Sequence, residues 1–150
     1  MAARQSAATL NELVAVLEDG EAFYRDAATR VSRSDVNALF QRMARNKAAI
    51  AADLRGAVAA AGGDPVSGGT LPGTLLRGWG DLRARLSTDA RHEYLQRLEA
   101  FEERILHAFR EVLDGDADAT VRERAQRHIE EISRDHAEMR AMVRSDGRWG

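Results

Sequence analysis

Cysteine is absent from the 150 residues, which excludes disulfides, thiolate metal sites and cysteine nucleophiles. Proline occurs only at Pro65 and Pro72, so the tracts on either side are free to run as long helices. Lysine is nearly absent as well. Lys47 is the only one, and the opening stretch MAARQSAA carries a single charge, Arg4. With a net charge of -2 and mixed signs throughout, no basic stripe is available to meet a nucleic-acid backbone. No apolar run approaches the ~20 residues needed to span a bilayer. The N-terminus also lacks the basic-then-apolar pattern of a secretory signal. These absences predict a cytoplasmic protein that binds neither nucleic acid nor membrane.

What the chain does have is helical periodicity. Leu10, Leu13, Val14, Leu17, Glu21, Tyr24, Ala28 and Val31 step by threes and fours, one face of a helix opened by a Thr9/Glu12 capping box. After Ser32-Arg33-Ser34, with Ser34 or Asp35 as cap, a second face follows Val36, Leu39, Phe40, Met43, Asn46, Ile50, Leu54 and Val58 to Gly62-Gly63. A third, capped by Ser87 or Thr88, follows Leu95, Leu98, Glu102, Ile105, Phe109 and Val112 to Gly115. A fourth, opened by Thr120 and Glu123, follows Val121, Ala125, His128 or Ile129, Ile132, His136, Met139 and Val143, with the tail from Ser145 frayed. The expected helices are 9–31, 35–61, 88–114 and 120–144, in one domain spanning 1–150.

The short breaks after the first and third helices make each half an antiparallel hairpin. A glycine-rich crossover, 62–87, joins the hairpins. Leu71, Leu75, Leu76, Trp79, Leu82 and Leu86 suggest a short helix within it. The predicted fold is therefore all-α, a four-helix bundle of two hairpins joined by a long crossover.

Two carboxylates fall in the apolar seams. Glu21 lies between Leu17 and Tyr24, and Glu102 between Leu98 and Ile105. A buried carboxylate is costly unless it is paired, protonated or bound to a cation. Folding each hairpin about its turn brings Glu21 opposite Asn46, and Glu102 opposite Glu131–Ile132, with His128 and His136 a turn to either side. Dimetal bundles take one Glu from each of two helices and a Glu-x-x-His from each of the others. Here Lys47-Ala48-Ala49-Ile50 and Ser133-Arg134-Asp135-His136 stand in place of those quartets. The candidate ligands are thus Glu21, Glu102, Glu131 and His136, an incomplete set for iron or another divalent metal. The competing expectation pairs the glutamates with Lys47, Arg104 or a buried histidine in a polar layer. Tyr24 is expected to pack in the core with its hydroxyl satisfied, and His92 and His107 to be exposed. The DGDAD turn lacks the Gly and Glu of a calcium loop.

From Thr9 to Val143 the chain resembles an uncharacterised bacterial family of ferritin-like four-helix-bundle proteins. The residues carrying the resemblance are LNELVAVLEDGEAFYRDAA, LRGWGDLRARL, EAFEERILHAFREVL and the helix of His136. The resemblance implies the ferritin-like fold and assigns no activity. The function expected is a non-catalytic bundle with a degenerate or weak metal site, acting as an oligomeric or interaction scaffold. The alternative is a dimetal carboxylate protein of iron oxidation or storage.

Overall fold

The computed structural model describes residues 2–31, 33–65 and 88–149. They form four helices, α1 (Ala2–Arg30), α2 (Ser34–Ala60), α3 (Thr88–Asp114) and α4 (Ala119–Trp149), with no strand among them. The expected short helix at 71–86, its apolar contacts and the Ser87 cap lie outside the described residues.

α1 begins at Ala2 rather than at Thr9. Its opening is rich in alanine, the best helix former, and Ala7 is buried beside Gly63 at the end of α2. Ser6 donates to Asp118 before α4. Thr9 consequently sits inside the helix, its hydroxyl donating to the Gln5 carbonyl at 3.0 Å, and caps nothing. At α2 the cap residue is Arg33, without a side-chain cap bond. At α4 the cap is Asp118 rather than Thr120, because Asp118 Oδ1 accepts from the Val121 N–H at 3.0 Å. α4 also runs on to Trp149, past the expected stop at 144.

α2 ends where the sequence says it should. Gly62, at φ 83°, takes the left-handed conformation that only glycine adopts without strain. Its N–H and that of Gly63 return to the carbonyls of Ala59 and Val58, both at 3.0 Å, closing the helix end.

The contacts fix the topology. α1 packs on α2 and α3 on α4 as hairpins, while α1–α3 and α2–α4 contacts join the two halves. Arg42–Glu138, Lys47–Asp135 and Asp53–Arg124 run in opposite order along α2 and α4, so these helices are antiparallel. α2 ends beside the start of α1, where Asn11 Nδ2 donates to the Asp64 carbonyl at 3.0 Å. α3 starts at the other end, where Leu95 belongs to the same buried cluster as Phe23, Tyr24 and Ala27. The end of α2 and the start of α3 therefore lie at opposite ends of the bundle.

The apolar core is divided. One cluster holds Leu10, Leu13, Leu17, Leu54, Phe109, Val121 and Ala125. The other holds Tyr24, Phe40, Met43, Leu98 and Met139. Between them lies a polar layer. Among the described residues, no helix is long and apolar enough to cross a membrane.

Candidate functional site

Each helix contributes one residue to the layer between the two clusters: Gly20 from α1, Lys47 from α2, Glu102 from α3 and Asp135 from α4. All four are buried, and the side chains of Lys47 and Glu102 are 0% exposed. Lys47 reaches across the bundle diagonal, since among the described residues the backbones of α2 and α3 do not approach each other as those of neighbouring helices do. Its Nζ stands 2.6 Å from Glu102 Oε1 and 2.6 Å from Asp135 Oδ2.

The surrounding groups complete the cluster. The Tyr24 hydroxyl donates to Glu102 Oε1 at 2.7 Å, and Asn46 Nδ2 donates to Asp135 Oδ1 at 3.4 Å. The ammonium also lies 5.6 Å from the centre of the Tyr24 ring, within reach of a cation–π attraction. Glu102 Oε2 is buried and finds no hydrogen-bond partner among the described residues.

Gly20 makes the room. A Cβ there would stand 2.9 Å from Ile105 Cδ1 and 3.7 Å from Lys47 Cγ. Gly20→Val is expected to destabilise the chain by about 1–3 kcal/mol through overpacking. For Gly20→Ala, the displaced Ile105 methyl is offset by up to about 1 kcal/mol of helix propensity, so its effect should be near zero. Urea denaturation of both variants measures the difference.

The electrostatics follow from burial. Two carboxylates on one ammonium leave the cluster with a net negative charge in a buried layer. Burial raises the Glu102 carboxyl, against the opposing pull of Lys47 and the Tyr24 hydrogen bond. Burial likewise raises Asp135, again against Lys47. The Tyr24 phenol is pushed well above its ordinary value by burial and then by the charge of Glu102.

Only Glu102 of the four candidate ligands enters this layer. Glu21 is held by Arg25 one turn along α1, Oε1 to Nη2 2.8 Å. Glu131 pairs with Arg134 at 3.1 Å, and His136 is half-buried beside Asp135 in sequence. His128 lies outside the layer, where its Nε2 meets Asp53 Oδ2 at 2.7 Å. His107 is exposed, paired with Glu111, and the side chain of His92 lies outside those described. Asp135 is the residue of the layer absent from the candidates that the sequence offered. Its signal was present in its spacing from Ile132 and Met139, which places it on the seam as well as His136.

Glu102, Asp135 and Tyr24 offer two carboxylates and a phenol around a point that an ammonium already fills. That donor set does not fit a divalent cation, and among the described residues no three His, Asp or Glu side chains group as a metal ion requires.

The family profile described as a domain of unknown function, DUF2383, matches residues 5–115. The match takes in Gly20, Tyr24, Lys47 and Glu102, and ends before the helix that carries Asp135. No curated protein matches the chain.

Proposed function

The chain belongs to the family described as a domain of unknown function, DUF2383, and from that premise we propose that it is a non-catalytic, ferritin-like bundle whose internal cation is its own Lys47. In this reading the polar layer is the remnant of a metal-site geometry in which a side-chain ammonium has replaced the metal. The bundle then acts through its outer surface, as an oligomeric or interaction scaffold.

The observation that carries the reading is the paired contact of Lys47 Nζ with Glu102 and Asp135, 2.6 Å to each. A divalent ion would have to displace a fully buried ammonium and leave it unpaired, which costs several kcal/mol. The lysine also ties α2 to both helices of the other hairpin, a structural task that needs no metal.

Metal analysis of the purified protein, followed by aerobic Fe(II) addition to wild type and Glu21→Ala/Glu102→Ala, tests this. Background oxidation and no stoichiometric metal are expected in both. A stoichiometric metal that is lost in the double variant would overturn the reading in favour of a dimetal protein built on Glu21, Glu102, Glu131 and His136.

A further inference from the structure

The chain carries 22 basic residues, of which Lys47 is the only lysine, and this one lysine is completely buried. An ion pair alone does not call for lysine. Arginine forks carboxylates at least as well and is the preferred residue for buried pairs. What lysine has and arginine lacks is an amine that can be acylated.

We propose that Lys47 and Asp135 are the two halves of an intramolecular amide, closed between α2 and α4 with Glu102 as the base that moves the proton. The geometry supplies each part. Nζ touches Oδ2 of Asp135, one of the two oxygens bonded to the carbon it would attack. It touches Glu102 Oε1 at the same distance, 2.6 Å. Asn46 Nδ2 faces Oδ1, the oxygen that stays as the amide carbonyl.

The step balances without an oxidant, reductant or co-reactant. Nζ first gives one proton to Asp135 Oδ2, leaving a neutral amine and a carboxylic acid. The amine lone pair attacks Cγ and forms the C–N bond, with charge gathering on Oδ1. Glu102 takes a second proton from nitrogen and returns it to Oδ2 as the C–Oδ2 bond breaks. One water leaves, and Glu102 ends as it began.

Two physical effects favour this condensation in the core over the same reaction in water. The reacting groups are held in contact, and orientation of that kind is worth effective molarities of roughly 10⁵–10⁸ M. The product also leaves one charged group in the core where there had been three. The amide would be a covalent tie between the two hairpins in a chain without cysteine. It goes beyond the proposed function, in which the Lys47 ammonium and its ion pairs are the state from which the amide closes; a chain that keeps those pairs is still a scaffold.

Intact mass of the purified full chain under denaturing conditions is the test. The wild type is expected to weigh one water less than its sequence. Tryptic mapping should join residues 46–55 to residues 135–140, and amine labelling of the unfolded chain should reach the N-terminus alone. Lys47→Arg and Glu102→Gln should keep the full sequence mass. A wild type of full mass, with Lys47 open to labelling once unfolded, would overturn the proposal. So would a missing water that maps to a succinimide at an Asp-Gly pair such as Asp114-Gly115. Condensation that persists in Glu102→Gln would remove Glu102 from its role.

Discussion

Lys47→Met is expected to unfold with about 3–5 kcal/mol less free energy than the ion-paired wild type at neutral pH, because it leaves two buried carboxylates without their cation. Methionine matches the length and flexibility of the lysine stem, so the loss reports the charge and not a cavity. Any amide already formed in the wild type adds to the difference. The loss should also depend on pH in a definite direction. Burial raises both Glu102 and Asp135 in the folded chain, so the folded state holds protons that the unfolded state gives up. A group shifted this way favours folding at low pH and loses that contribution as pH rises from the ordinary carboxyl range through its folded value. Without Lys47 the opposing attraction is gone and both carboxyls rise further. Lys47→Met should therefore recover stability as the pH falls towards 4, and urea denaturation at several pH values reads this.

The second large effect is its reversal. Lys47→Met/Glu102→Leu/Asp135→Val/Tyr24→Phe is expected to regain at least the 3–5 kcal/mol (roughly) that Lys47→Met loses, since well-packed apolar residues commonly equal or exceed a buried ion cluster. The tyrosine is included because its hydroxyl donates to Glu102 and would otherwise be buried without an acceptor. Asn46 can stay, because it is only half-buried and can turn to water when Asp135 is replaced. The recovered stability should change less steeply with pH between 4 and 8 than that of Lys47→Met, because this variant has removed the two carboxyls of the layer that burial raises.

The architecture was legible because it rests on long apolar stripes and on two short breaks. The polar layer was only half legible, and the reason is geometric. In all four helices the flanking apolar residues at this level stand seven apart: Leu17 and Tyr24, Met43 and Ile50, Leu98 and Ile105, Ile132 and Met139. Seven residues are bridged equally well by a step of three then four or of four then three, so two adjacent positions qualify for the seam. Polarity favoured Glu21, Asn46 and His136. The structure takes their neighbours Gly20, Lys47 and Asp135, and agrees only at Glu102. Packing decides between the two. Gly20 admits the lysine stem and the Ile105 methyl, whereas Glu21, one step round the helix, reaches Arg25 near the surface.

The helix starts show the same limit. Thr9 with Glu12 has the pattern of a capping box, but the pattern cannot register that Ala7 is buried against the end of α2 and that Ser6 meets Asp118. Those tertiary contacts extend α1 by two turns. The Asp118 cap was equally open to the sequence, as one of three aspartates in the turn before α4, and only its bond to Val121 singles it out.

A single lysine offsets the charge of two buried carboxylates in this bundle and joins its hairpins. Parallel urea denaturation of wild type, Lys47→Met and the fourfold apolar variant at pH 7 tests it most directly. Lys47→Met should be the least stable of the three by about 3–5 kcal/mol, with the apolar variant restored above it. A Lys47→Met chain within about 0.5 kcal/mol of wild type, the range of an ordinary surface substitution, would contradict it.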